Sequence, residues 1–187
     1  MTDKFNTYIE SPATAYWRAL CLRHGTLRHY EKDEAFFTAG HVARYIGYIK
    51  SGTLKYVVYG EDCSEHVIGL EFTGEFVTDF PFSLRGQKAR ASVVAESPCD
   101  IYCLSTAMLG ERLKTDPELK EMVMTSTESV FSTVYDRYVD LHIKTPQQRY
   151  NDLISRHPDL FSLFPLKDIA SFLNITQTHL SRLRKKV

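Results

Sequence analysis

The residues best placed to do chemistry stand together at the end of the chain, in Thr176-Gln177-Thr178-His179-Leu180-Ser181-Arg182-Leu183-Arg184-Lys185-Lys186-Val187. Wound at 100° per residue, this stretch puts Leu180, Leu183 and Val187 on one side of a helix and Thr178, Ser181, Arg182 and Lys185 on the other. Gln177 flanks the polar arc at its N-terminal end, and Thr176 is placed to cap the helix. Gln pairs with the edge of adenine, Arg with that of guanine, and Ser and Thr with either, so this face carries the chemistry of reading base edges in a major groove. Arg184, Lys185 and Lys186 suit phosphates, which give affinity without sequence choice. The bland alternative is an amphipathic surface helix with a solvated charged side.

The preceding residues argue against the bland reading. In Leu166-Lys167-Asp168-Ile169-Ala170-Ser171-Phe172-Leu173-Asn174-Ile175, Ala170 is the small residue needed where two helices cross closely. Asn174, four residues on, tolerates the positive φ of a tight turn. Ile169, Leu173, Ile175, Leu180 and Leu183 fall where apolar side chains must fill the wedge. The pattern predicts a helix-turn-helix. Charge agrees: residues 144–187 hold eight basic and three acidic side chains, residues 1–143 hold 15 basic and 20 acidic, so a basic end is attached to an acidic body.

The elements that must carry this head are legible upstream. From about Leu27 to Leu104, short apolar runs alternate with turn residues: Tyr45–Ile49, Thr53–Tyr59, Val67–Leu70, Ala91–Ala95 and Asp100–Leu104. That spacing predicts a β-sandwich of jelly-roll type. From Asp116 to Ile143 there is no Gly, and Leu119, Met122, Val123, Val130, Val134, Tyr138 and Leu141 recur at helical spacing after an Asp116-Pro117 start. A helix this long is expected to pair its apolar stripe with a second copy of the chain, the alternative being a helix packed wholly on its own β-domain. Thr145-Pro146-Gln147-Gln148 starts another helix and places a boundary near Lys144. The expected architecture is α+β: a jelly-roll effector-like domain over 1–115 with a helical lead-in, a dimerisation helix over 116–143, and an all-α helix-turn-helix domain over 144–187.

Composition excludes little else. No stretch approaches the roughly 18 apolar residues of a membrane span, and the N-terminus lacks the apolar core of an export signal, so a cytoplasmic address is expected. Cys21, Cys63, Cys99 and Cys103 lack C-x-x-C spacing and read as free, mostly buried thiols.

With β body, long helix and C-terminal head in place, the chain resembles the Crp/Fnr superfamily of bacterial transcription regulators over nearly its whole length. The matching β-region residues are Ala39-Gly40-His41, Lys50-Ser51-Gly52-Thr53-Leu54-Lys55 and Glu65 to Phe76, which look like the glycine-punctuated strands of a cyclic-nucleotide-binding fold. The resemblance implies a homodimer on double-stranded DNA, with RNA polymerase as a further candidate partner, and base reading through Gln177, Thr178 and Arg182. Cyclic-nucleotide binders of the family carry Gly-Glu followed by Arg-Ser-Ala or Arg-Thr-Ala. Here Gly74-Glu75 is followed by Arg85-Gly86-Gln87-Lys88-Ala89-Arg90-Ala91-Ser92, which lacks the paired motif. Cyclic AMP is therefore not expected, and Glu75, Arg85, Arg90 and Ser92 are candidates for another effector's pocket or its vestige. Haem is not expected either, nor an iron–sulfur centre, since Cys21 stands alone near the N-terminus. Many relatives continue into a β-hairpin wing, whereas this sequence stops at Val187, so wing contacts are missing or the chain is clipped.

Two other classes compete. A metal-dependent jelly-roll enzyme needs His-x-His with downstream Glu and His, which none of the seven histidines provides. A sensor or scaffold that dimerises through the long helix without holding DNA is the other, separable by the salt dependence of DNA binding.

Overall fold

The β region folds because its strands alternate faces. In the last strand of the sandwich, Cys99, Ile101 and Cys103 are buried between two sheets while Tyr102 and Leu104 turn to the opposite side. In this computed structural model, which describes residues 5–185, eight strands form two four-stranded antiparallel sheets. They are β1 (Thr26–Tyr30), β2 (Ala35–Phe37), β3 (Tyr45–Ser51), β4 (Leu54–Tyr59), β5 (Glu65–Glu71), β6 (Phe76–Val77), β7 (Ser92–Ala95) and β8 (Cys99–Ser105). One sheet runs β1-β8-β3-β6, the other β2-β7-β4-β5. The turn from β3 to β4 requires Gly52: its φ is 95°, and an added Cβ would stand 2.5 Å from Cys99 Sγ. β2 and β6, three and two residues long, fall outside the sequence-predicted runs because so few residues show no period.

The outer face of the first sheet is covered by α1 (Ala13–His24), which buries Trp17, Leu20 and Cys21 against Ile46, Tyr48 and Leu104. A short helix, α2 (Thr106–Arg112), leads into α3 (Pro117–Ile143), whose Asp116 cap accepts a hydrogen bond from Leu119 N at 3.0 Å. The stripe predicted on α3 divides. Leu119, Met122 and Val123 join the core beneath α1, Val130 is half-buried, and Val134, Tyr138 and Leu141 are exposed together with Phe131, which lies off the predicted stripe.

After α3 come α4 (Pro146–Arg156), α5 (Leu160–Leu163), α6 (Leu166–Phe172) and α7 (Gln177–Arg184). α4 opens on a capping box between Thr145 and Gln148. These helices do not hang free. Tyr150, Leu153, Leu160, Phe164, Ile169, Leu173, Leu180 and Leu183 form one core with Val57, Val67, Leu70 and Phe72 of the β-sandwich. β5 is an edge strand, and the Ser171 hydroxyl accepts a hydrogen bond from Val67 N at 2.8 Å, so α6 covers that edge. Among the described residues no helix is long and apolar enough to cross a membrane.

Candidate nucleic-acid interface and effector cavity

Between α6 and α7 the chain reverses through a Schellman turn: Ile175 N donates to Ala170 O at 3.0 Å and Asn174 N to Ser171 O at 2.9 Å. Asn174 takes φ 53° there, and Ala170 is 1% exposed where the helices meet. The Thr176 hydroxyl accepts from His179 N and caps α7. Ile169, Leu173, Leu180 and Leu183 are buried, and Ile175 packs against them. The outward arc of α7 carries Gln177, Thr178, Arg182 and Lys185, all exposed, with Ser181 half-buried beside them. The Arg184 guanidinium lies 4.2 Å from the Phe161 ring centroid, so its charge is engaged within the helical module as well as available at the surface. Lys186 and Val187 lie outside the described residues.

The module is held to the sandwich by a buried ion cluster. Lys55 Nζ on β4 donates to Asp168 Oδ2 on α6 at 2.8 Å and to Glu65 Oε1 at 3.1 Å, with Glu96 Oε2 3.4 Å away. Burial alone would lower the ammonium's pKa, but the hydrogen bonds to Asp168 and Glu65 hold it above its ordinary value. Nearby, the His157 ring stacks on Phe72 at 4.0 Å, and its burial lowers the imidazole pKa.

A second network ties the N-terminal segment, sandwich and long helix together. Asn6, fully buried, donates to Leu70 O and to the carboxylates of Glu71 and Glu75, and accepts from Arg137 Nη2 on α3. Arg137 also donates to Phe5 O and lies over the rings of Phe5 and of Phe172 on α6. Burial pushes the Glu71 carboxyl well up from the usual range, and the neighbouring Glu75 charge pushes it further. The Glu75 carboxyl is raised too, by burial.

Beside this network lies a cavity of about 370 Å³ between the sandwich and α3. Of the four residues expected to line an effector pocket, only Arg90 does so. Glu75 is taken up by Asn6 and Phe72 N, the Ser92 hydroxyl accepts from Ala39 N, and Arg85 stands exposed on a 3-10 turn. The wall is made instead by residues outside the family motif, among them Thr78, Asp79, Trp17, Phe80 and Arg137. Asp79 lies close enough to Arg90 to feel its charge, though burial keeps its carboxyl above the ordinary range. No sequence motif marks Asp79 as a wall residue. Asn6 and Arg137, 131 positions apart, left no signal either.

Residues 27–116 match the family of cyclic nucleotide-binding domains. No curated protein matches the chain. As a whole it superposes on FixK2 from Bradyrhizobium japonicum with a TM-score of 0.75 at 16% identity, covering 87% of this chain and 83% of that one. It is also similar to CLP, a c-di-GMP responsive global regulator of Xanthomonas campestris, with TM-score 0.66, 18% identity and coverage of 92% and 90%. A transcriptional regulator assigned to the Crp/Fnr family, from Eubacterium rectale, gives TM-score 0.73 at 13% identity, with coverage of 91% and 82%. The sandwich is thus similar to cyclic nucleotide-binding domains and is joined through a long helix to a helix-turn-helix. The chain as a whole shares the fold of these solved structures.

Proposed function

We propose that the chain is a non-enzymatic, cytoplasmic bacterial transcription regulator that binds double-stranded DNA in a sequence-specific manner. The observation that carries this reading is the outward face of α7, where Gln177, Thr178, Arg182 and Lys185 are exposed on a helix whose other side is locked into a core. Gln177, Thr178, Ser181 and Arg182 face base edges; Thr176 caps the helix at the phosphate end, and Arg184, Lys185 and Lys186 meet the backbone.

The regulator works as a homodimer through residues 116–143. Met124, Phe131 and Tyr138 recur every seven residues, as do Thr127, Val134 and Leu141, which is the seam of a two-stranded coiled coil. Phe131 and Tyr138 are 65% and 57% exposed in the single chain, an unusual state for apolar side chains at coiled-coil spacing. A two-fold dimer also presents two α7 helices to half-sites one turn of duplex apart.

Cyclic AMP is not the signal on this reading, because the cavity offers no Arg-Ser pair to offset the desolvation of a phosphate. Selection of bound sites from a random duplex pool with the full chain tests the central claim. Enriched sites with two-fold symmetry, and affinity that falls steeply with salt, are expected. A pool that stays random at all salt concentrations refutes it and favours a protein-binding scaffold.

A further inference from the structure

The cavity between sandwich and α3 has a chemistry of its own, and its assignment as a sensing site rests on the regulator reading. Its walls are aromatic, with Trp17 and Phe80 edge to face at 6.0 Å. Its two guanidiniums are poorly placed to hold an anion inside. Arg137 is committed to Phe5 O and Asn6, with Glu71 and Glu75 facing its charge, and Arg90 is exposed. Asp79, by contrast, brings a carboxylate into the wall. Its Oδ2 and the neighbouring Thr78 Oγ1 are both shut off from water with no hydrogen-bond partner among the described residues. Those two atoms are as closed to a ligand as to water, so the other oxygen of the Asp79 carboxylate, which has no hydrogen-bond partner among the described residues, is the one a ligand's donor or positive charge would meet.

We propose that this cavity receives an organic cation, an amine or quaternary ammonium on an apolar body, with Asp79 as its counter-ion and the Trp17–Phe80 ring pair against its charge. Rings with a nearby carboxylate are the arrangement that stabilises a desolvated ammonium, through the quadrupole of the ring face and the opposite charge together. An anion entering the same space meets the Asp79 carboxylate, whose charge exposed Arg90 offsets from one side only. A cavity of about 370 Å³ holds a body the size of one or two rings.

Trp17 is the chain's single tryptophan and lines the cavity, so its fluorescence reports occupancy directly. Titration of the full chain with 2-phenylethylamine, 2-phenylethanol, phenylacetate and cyclic AMP compares head groups. The amine is expected to give a saturable change, the alcohol to bind about tenfold more weakly and the acid not at all. Asp79→Asn, nearly the same shape, should weaken the amine about tenfold and bring it level with the alcohol. The proposal is overturned if phenylacetate or cyclic AMP binds more tightly than the amine, if the alcohol matches the amine on the unaltered chain, or if Asp79→Asn leaves amine affinity unchanged. Should Asp79→Asn fail to fold, the four-ligand series on the unaltered chain decides alone. None of these titrations contains DNA, so amine binding with no selected site sinks only the regulator reading, and selected sites without amine preference sink only this one.

Discussion

Arg182 is the side chain on which sequence choice is expected to turn, because it is exposed at the middle of the outward arc and its planar fork matches guanine in a major groove. Arg182→Ala should cost about 1–3 kcal/mol on the selected site and relax preference at one base position. Equal loss on every sequence, measured by fluorescence anisotropy, would reassign it to the phosphates. A second residue-scale expectation concerns Glu71, buried beside Glu75 and hydrogen-bonded by Asn6 and Tyr8. Its carboxyl titrates above the unfolded value, so its contribution to stability is fully present below roughly pH 4.3 and is lost as pH rises through the folded pKa. Glu71→Gln keeps an acceptor for Asn6 and Tyr8 and removes the titration. It should raise the melting temperature at neutral pH and flatten its decline with rising pH; a lower melting temperature at pH 7 would show that the ionised form is the stabilising one.

At the scale of elements, α3 carries the clearest consequence. Its first half packs Leu119, Met122 and Val123 into the chain's own core but leaves Met124 exposed, and its second half exposes Phe131, Val134, Tyr138 and Leu141. Tyr138→Glu places a charge within the proposed seam while leaving the chain's own core untouched. Sedimentation should show dimers for the unaltered chain and monomers for the variant, with the melting of the single chain little changed; dimers surviving the substitution would move the interface elsewhere. The turn between α6 and α7 was legible for a different reason. Ala170, Asn174 and Thr176 each meet a local backbone demand, so their spacing alone placed the two helices, and the structure gives Asn174 its positive φ and Thr176 its cap.

For the whole molecule, the question is how firmly the helical module is joined to the sandwich. Lys55→Met leaves Asp168 buried without its partner and should destabilise the chain by about 3–5 kcal/mol in urea unfolding, whereas Lys55→Met with Asp168→Leu should recover most of that loss. A single substitution costing under about 1 kcal/mol would mean that the apolar contacts alone hold the module in place. This junction was not legible in the sequence. The charge step near Lys144 and the capping box suggested a separate domain, while the structure merges both sides into one apolar core, with Ser171 closing the edge of β5. The effector pocket shows the same division: Gly74-Glu75 fits the family motif in register, yet Glu75 is consumed by Asn6 and the cavity is lined by Asp79. The longer central strands, the long helix and the helix-turn-helix were determined by the sequence itself, because period, caps and turn residues act over a few positions along the backbone. Which charges pair and what lines the cavity were decided only by tertiary structure, because Lys55 with Asp168 and Asn6 with Arg137 meet across more than a hundred residues, and no local pattern encodes that approach.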